Sequence, residues 1–379
     1  MIAGVSEASR HVDKVCANSN WVDGHVTSRH RAQELLLLAI HEMKTVCGGN
    51  ISFRFCWKRD GGHFLGIMFC SLGPKSFGIP QPAGGIKDNM TTPNAADSGT
   101  FSIAGELTVN RLGYGAMRIT GDGIWGDPKD PAESKRVLKR LLDLNVNFID
   151  TADSYGPEVS ENLIAEALHP YPKGLVIATK GGLTRTGPNQ WIPVGRAEYL
   201  RQCVEMSLRR LKVERIDLYQ LHRFDPKVPV EESLGELKKM QEEGKIHHIG
   251  ISETNVAEVK QAQKIVNVVS VQNKYNITDR AHEDVVDYCA KNKIAFIPWF
   301  PLAAGALTKP GGVLDKLAKS HNATTSQIAI AWLLRRSPVM LPIPGTSKVK
   351  HLEENVATAE LKLSEQEWQL LEEAAKKAA

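Results

Sequence analysis

No two cysteines in this sequence have C-x-x-C spacing, no apolar run approaches the ~18 residues of a membrane span, and neither sign of charge dominates. Each absence excludes something. The six cysteines (Cys16, Cys47, Cys56, Cys70, Cys203 and Cys289) lack zinc-ligand spacing, and no metal cluster is expected. A net charge of +4 is too weak to suggest a nucleic-acid surface. Apolar runs such as "LLLLAI" (35–40) are short and flanked by Glu34 and Glu42, which suits neither a span nor a secretory signal. Cys203 and Cys289 fall in helical patterns and read as buried free thiols, so a reducing, cytoplasmic setting is expected. No nucleic-acid or membrane partner is expected, and the oligomeric state is open.

Two textures divide the chain. Residues 1–99 read as a low-structure extension and linker. Residues 1–89 carry four of the six cysteines and five of the twelve histidines, with one short helical pattern at 32–44. "GPKSFGIPQPAGGIKDN" (73–89) is a Pro/Gly-rich linker. The acids Glu7, Asp13, Asp23, Glu34 and Glu42 argue against a transit peptide. Two readings of the extension stand: a segment foreign to the natural product, with Met90 as the true start, or a regulatory or targeting extension.

Residues 100–379 are regular. "FSIAGELTV" (101–109) predicts a short hairpin with Gly105 in its turn. Eight apolar strand candidates follow: 111–117, 147–152, 175–180, 216–222, 247–252, 268–275, 294–300 and 339–345. Amphipathic helices separate them, for example over 130–145, 196–213, 230–245 and 324–338. The second of these places Leu200, Cys203, Val204, Leu208 and Leu211 on one face. Strict alternation implies parallel strands with right-handed crossovers. Eight units predict an α/β fold, a closed (β/α)8 TIM barrel with an N-terminal β-hairpin. An open doubly wound sheet is the alternative, disfavoured on the reading that no dinucleotide loop follows the first strand.

The carboxyl ends of barrel strands converge on one face. Here they carry Asp150 with nearby Tyr155, Lys180, His222, Ser252 with Glu253, Gln272 with Asn273, Trp299, and "GTSK" at 345–348. Singly, each has a bland explanation as a turn cap, a solvated charge or a core histidine. Together on one rim they point to chemistry. A phenol is a poor acid near neutrality, with a pKa of ~10, and an ammonium beside it favours the phenolate. At an effective dielectric of ~20, one charge ~4 Å away supplies ~4 kcal/mol, enough to lower the phenol by about two to three units. Lys180 offers that charge, and Asp150 would keep it protonated. Tyr155 then serves as general acid, with neutral His222 orienting a substrate oxygen. No Ser/Cys nucleophile pattern offers an attacking group, so a hydride from a nicotinamide would complete the reaction.

These residues resemble the aldo-keto reductases. "VNRLGYGAM", "NFIDTADSYG", "VIATKGG", "LYQLHR", "HIGIS", "VQNKYN" and "LPIPGTSKVKHLEENV" carry the resemblance, in order, across residues 101–379. Within that family the chain looks most like the bacterial-type, pyridoxal reductase-like branch. The resemblance implies a tetrad of Asp150, Tyr155, Lys180 and His222 and the cofactor NADPH/NADP+. It places Ser252 and Gln272 on the nicotinamide carboxamide and Trp299 on the nicotinamide face. Pro301 and Leu302 belong to the same cofactor-binding set. Gly345, Thr346, Ser347 and Lys348 surround the 2′-phosphate, and Glu354 and Asn355 contact adenine. Two positions depart from the family pattern: Glu253 stands where asparagine is common, and His351 where arginine is common, which weakens the phosphate clamp.

The expected activity is reduction of a small or aromatic aldehyde or ketone to an alcohol, pyridoxal among the candidates. Trp125, Arg185 and Trp191, in the loops after the first and third strands, are candidate substrate contacts. The terminal helix pattern at 364–377 leaves no long C-terminal loop, so a fairly open site is expected. Two alternatives are weighed. One is a cofactor-binding regulatory subunit resembling potassium-channel beta subunits. The other reads "DTAD" (150–153) as a carboxylate metal pair of a barrel hydrolase, which a chelator would inhibit.

Overall fold

The computed structural model describes residues 51–60, 63–72, 92–301 and 310–378. The chain divides into two compact units, Met1–Asp88 and Asn89–Ala379. In the first, β1 (Ile51–Asp60) and β2 (His63–Leu72) pair antiparallel, with Asp60 opposite His63. This is regular structure in a segment expected to have little. Its signal is Gly61-Gly62 between two apolar runs, a hairpin dipeptide. The helical pattern at 32–44 and the linker at 73–89 lie outside the described residues.

The second unit begins before residue 100. A 3-10 turn, Ala95–Ser98, is tied down by Ala95 N–H to Leu144 O at 2.9 Å, and Ser98 Oγ accepts from Leu112 N–H at 3.0 Å. The predicted hairpin follows as β3 (Thr100–Ile103) and β4 (Leu107–Asn110), turning through Ala104 and Gly105, both at positive φ. Its apolar residues Ile103 and Val109 are fully buried among Phe148, Ala178, Leu218, Ala295 and Leu341. The hairpin therefore plugs the base of the barrel interior.

The barrel strands are β5 (Tyr114–Gly115), β6 (Phe148–Asp150), β7 (Val176–Gly181), β10 (Ile216–Leu221), β11 (Ile246–Ser252), β12 (Val268–Lys274) and β13 (Ala295–Trp299). They pair in parallel in sequence order. Between β7 and β10, β8 (Leu183–Thr184) and β9 (Ile192–Pro193) form a small antiparallel pair in the loop. The predicted eighth strand, 339–345, forms no ladder: Val339 lies in a turn and Met340 makes a single parallel bridge to Phe296. Pro342 and Pro344 lack the N–H groups a ladder needs. It still closes the circle. Phe296 N–H donates to Val339 O at 2.9 Å and Leu341 N–H to Phe296 O at 2.8 Å, and on the other side Gly113 N–H donates to Pro342 O at 2.9 Å. The seam is tight enough to require glycine: a Cβ on Gly115 would lie 2.6 Å from Ile343 O, and one on Gly345 2.6 Å from Gly115 O.

Closure, rather than glycine spacing, rules out the open sheet. "GDGIWG" (121–126) does have G-x-G-x-x-G spacing, which the sequence reading overlooks. It lies in a turn with Gly123 and Gly126 at φ +69° and +68°, and the next helix opens only at Pro131.

Ten helices surround the strands: α1 (Pro131–Asp143), α2 (Val159–Leu168), α3 (Ala197–Leu211), α4 (Val230–Glu242), α5 (Val256–Ala262), α6 (Glu283–Asn292), α7 (Val313–Ser320), α8 (Thr325–Arg336), α9 (Val349–Ala357) and α10 (Glu365–Ala378), counted among the described residues. Local chemistry sets their starts. Asp130 accepts from Glu133 N–H at 2.9 Å with Pro131 in the first turn, and Thr324 with Gln327 forms a capping box. The face predicted for α3 buries Leu200, Cys203, Val204 and Leu211. In α1, Val137, Leu138 and Leu141 pack on the outward side chains Ile149 and Ile177. Truncating one such leucine to alanine costs about 2–5 kcal/mol.

Candidate active site

Strand period two points Asp150, Lys180 and Gln220 into the barrel, with His222 just beyond the end of β10. Tyr155 sits on the loop after β6. The Lys180 ammonium is fully buried and lies at the centre of the group. It donates to Asp150 Oδ2 at 2.7 Å, to Thr151 O at 2.8 Å and to Tyr155 OH at 3.3 Å. The other carboxylate oxygen, Asp150 Oδ1, accepts from Gln272 Nε2 at 2.8 Å and Gln220 Nε2 at 3.1 Å. Every polar atom of Asp150 thus has a partner, as a buried charge requires. His222 Nδ1 lies 3.3 Å from Ser154 Oγ, and its ring stands edge-to-face to Tyr155, 5.9 Å between centroids.

The electrostatics differ in one respect from expectation. Burial pushes the Tyr155 phenol above its ordinary value, and Lys180 offsets only part of that rise. The phenol therefore holds its proton, where the sequence argument expected a net lowering. Desolvation, invisible along the chain, is a larger effect on this buried phenol than the ammonium beside it. For Lys180, burial works against the charge, but Asp150 and Tyr155 outweigh it and hold the ammonium above its usual range. Burial, aided by Lys180, Arg223 and Arg185, drives His222 well below the normal imidazole range, so it is neutral. A neutral imidazole and a protonated phenol face the same space. Together they can hold a carbonyl oxygen and protonate it.

That space is a cavity of about 490 Å³ whose lining includes Asp150, Tyr155, Trp191, His222, Gln272, Trp299, Pro301 and Gly345. A second cavity, of about 520 Å³, is lined by Arg118, Lys129, Thr346, Ser347 and Lys348. The two share Met117, Arg118, Ile124 and Gly345 as walls.

Of the remaining predicted cofactor residues, Ser252, Glu354 and Asn355 line neither cavity. Ser252 Oγ donates to Gln272 O at 2.7 Å and accepts from Arg223 Nη1 at 3.1 Å. Glu253, one of the two departures, has a defined task. It sits at φ +56°, accepts from Lys274 N–H at 2.8 Å and accepts a hydrogen bond from the Trp299 indole. It therefore sets the orientation of the Trp299 ring. Thr346 O accepts from Tyr114 OH at 2.6 Å, and Thr346 Oγ1 accepts from Lys348 N–H at 3.1 Å. The first amide of α9, Val349 N–H, is taken by Glu133 at 3.1 Å. On α9, His351 is exposed, Glu354 half-buried and Asn355 buried. Leu302 lies outside the described residues.

The three candidate substrate residues separate. Trp191 faces the cavity, edge-on to Tyr155 at 6.3 Å and tilted against His222 at 6.2 Å. Trp125 is more than one-third exposed, and its backbone bridges Gly156. Arg185 does not line the cavity. Its guanidinium donates to Ser154 O (2.6 Å), Gln190 O (2.7 Å), Ile124 O (2.9 Å) and Gly123 O (3.1 Å), and stacks 3.6 Å from the Trp191 ring centroid. It clamps three loops together.

Sequence reasoning missed Gln220, Arg223 and Arg118. Gln220 had a signal, since it precedes His222 by two and so shares its strand face. Arg223 is mostly buried and donates to His222 O at 2.7 Å, a contact with no sequence signature. The "DTAD" carboxylates do not converge: Asp150 is committed to Lys180 and two glutamines, while Asp153 packs by Cys203 and Arg210.

Comparison with known proteins agrees with this geometry. The Aldo/keto reductase family model matches residues 111–376. An uncharacterized oxidoreductase of Schizosaccharomyces pombe is 58% identical over 283 residues, 75% of this chain and 92% of that protein. Pyridoxine 4-dehydrogenase of Escherichia coli is 43% identical over 275 residues, covering 71% of this chain and 96% of its own. Among solved structures, a thermostable aldo-keto reductase complexed with the inhibitor epalrestat is 31% identical, with a TM-score of 0.63, over 70% of this chain and 96% of that one. A protected proton on Tyr155, a buried charged lysine beside it and a match spanning the whole barrel lead to one conclusion: the chain is an oxidoreductase of the aldo/keto reductase family.

Proposed function

We propose that this protein reduces a small or aromatic aldehyde or ketone to its alcohol with NADPH, and that Asp150, Tyr155, Lys180 and His222 carry the reaction. The observation behind this reading is the Lys180 ammonium, buried and held at 2.7 Å from Asp150 and 3.3 Å from Tyr155 OH. Family members use a nicotinamide cofactor, and the adjoining cavities suit one. The first offers the flat Trp299 face beside the tetrad. The second offers Arg118, Lys129 and Lys348 with the hydroxyls of Thr346 and Ser347, donors for phosphate. Among the described residues, Trp299, Ser252 and Gln272 would hold the nicotinamide end, and Gly345–Lys348 with Glu354 and Asn355 the adenosine end.

When bound, the reduced cofactor supplies a hydride to the carbonyl carbon. The chain does the rest. His222, neutral, orients the carbonyl oxygen. Tyr155 gives its proton to that oxygen. Lys180, kept charged by Asp150, stabilises the phenolate left behind. Trp191 and Trp299 exclude water from the reacting atoms. A cavity of about 490 Å³ has room for a nicotinamide ring on Trp299 and a ring-sized substrate beside it. Pyridoxal fits this size, and similarity to a pyridoxine 4-dehydrogenase supports it. A cytoplasmic setting belongs to the same proposal, supported by the buried free thiols Cys203 and Cys289. Among the described residues no helix is long and apolar enough to cross a membrane.

The test is NADPH consumption with a panel of aldehydes including pyridoxal, repeated with Tyr155→Phe. We expect turnover by the native chain and a fall of about 10²–10⁴-fold for the variant, the usual contribution of a general acid. Undiminished turnover in the variant would overturn the tetrad assignment. Cofactor binding without turnover on any carbonyl would favour the regulatory-subunit alternative.

A further inference from the structure

At the base of the barrel, away from the site above, a carboxylate meets two imidazoles. Glu106 lies in the turn of the plug hairpin, its N–H held by Ile103 O at 3.0 Å. His247 and His248 open β11, four or more residues before Ser252 and so about 13 Å or more along the strand from the active-site rim. Their rings stack at 4.1 Å between centroids, 25° apart. Both Nε2 atoms approach the same oxygen: Glu106 Oε2 is 2.9 Å from His247 Nε2 and 3.4 Å from His248 Nε2. One ligand atom from each residue lies within 4.8 Å of the others.

A simple ion pair explains only half of this. It accounts for His247 with Glu106. It leaves His248, more than nine-tenths buried, with Nε2 aimed at the carboxylate and no hydrogen-bond partner, at an energetic cost. Stacking two imidazoles with their nitrogens on one oxygen has no packing advantage that a hydrophobic pair would not give. A tetrahedral ion with bonds of ~2.1 Å holds its ligand atoms ~3.4 Å apart, close to the 2.9 and 3.4 Å between Glu106 Oε2 and the two Nε2 atoms. Glu106 is more than half exposed, so its carboxylate can adjust, and it leaves the remaining coordination position open to water.

We infer that Glu106, His247 and His248 form a binding site for a divalent transition-metal ion, of the class that imidazole and carboxylate prefer, which staples the plug hairpin to β11. Nothing along the chain hints at this: the two histidines are adjacent, where strand residues normally point to opposite faces, and Glu106 lies far away in the chain. This site is independent of carbonyl reduction.

The test uses the full chain, dialysed against EDTA and titrated with Co2+, with visible d–d absorption as the readout and Zn2+ and Mg2+ as competitors. Native protein should bind one more Co2+ per chain than Glu106→Gln or His247→Gln, at tetrahedral-type absorbance displaced by Zn2+ but not Mg2+. Affinity should fall at least about tenfold in each variant, the loss typical of even an outer partner of a metal site. Both variants should keep native circular dichroism and native reductase activity, since neither residue is near the active site. Equal stoichiometry and affinity in native and variant proteins, or no Co2+ bound by the native chain, would overturn the proposal.

Discussion

Gln272 donates its side-chain amide to Asp150 Oδ1 at 2.8 Å, so a residue matched to cofactor binding also supports the acid that holds Lys180 charged. Gln272 serves the site with two separate groups. Its Nε2 serves Asp150, while its backbone O serves Ser252. On the proposed function, cofactor binding and proton chemistry are joined through this one residue. Gln272→Leu should lower stability by about 1.5–3 kcal/mol, the worth of a hydrogen bond to a charged group. It should also lower kcat in single turnover at saturating NADPH. Thermal unfolding and stopped-flow fluorescence check both, and a variant with weaker NADPH binding but native single-turnover rate would sever the proposed link.

The pH profile follows from two opposite shifts. His222 is held well below, and Tyr155 above, their ordinary values, each chiefly by burial. The proposed mechanism needs Tyr155 protonated and His222 neutral. As pH rises, activity is lost only on passing the raised phenol value; as pH falls, it is lost only on passing the depressed imidazole value. We expect kcat/KM for aldehyde reduction to be flat across pH 6–9, measured at saturating NADPH. A limb near the ordinary histidine pKa of ~6.5 would contradict a neutral, buried His222.

Asp153 makes a stability prediction. Burial, with Glu161 nearby, raises its carboxyl to about 7, and Oδ1 has no hydrogen-bond partner. Its folded value lies above its unfolded one, so the unfolded state ionises first as pH rises. The folded state loses stability from about pH 4 upward, and the loss levels off above about pH 7. Asp153→Asn should therefore raise Tm, with an advantage that grows between pH 4 and 7 and then stays constant. Calorimetry at three pH values is sufficient, and a pH-independent difference would refute it.

Arg185 organises the rim. It joins the carbonyls of Gly123 and Ile124, Ser154 and Gln190. Arg185→Lys keeps the charge but loses the planar fork and the stack on Trp191. KM for aldehydes should rise several-fold with kcat less affected, and limited proteolysis should cut earlier within residues 121–126 or 186–192. A native cleavage pattern would show that the clamp is dispensable.

Much of the site was legible because barrel strands obey a period of two. Asp150, Lys180 and His222 end apolar strands, and their convergence needed only the alternation of strands and helices. Gln220 is equally legible, two residues before His222 on the same strand face. Other features had no local signature. The eighth strand looked regular, yet Pro342 and Pro344 prevent a ladder and closure rests on a few bonds to Gly113, Val339, Leu341 and Phe296. Arg185 read as a substrate contact because it lies in the right loop, but the carbonyls it meets come from segments distant in sequence.

Periodicity, strand-end residues and turn chemistry, all readable along the chain, determined the alternation of strands and helices, the polar residues that end the strands and the ends of the helices, because period and caps depend on neighbours a few residues apart. Tertiary structure alone decided the balance of charges: that burial outweighs Lys180 and keeps Tyr155 protonated, that Glu253 aims Trp299, and that Glu106 meets His247 and His248. Desolvation and long-range contacts are properties of the closed barrel, and no window of sequence contains them.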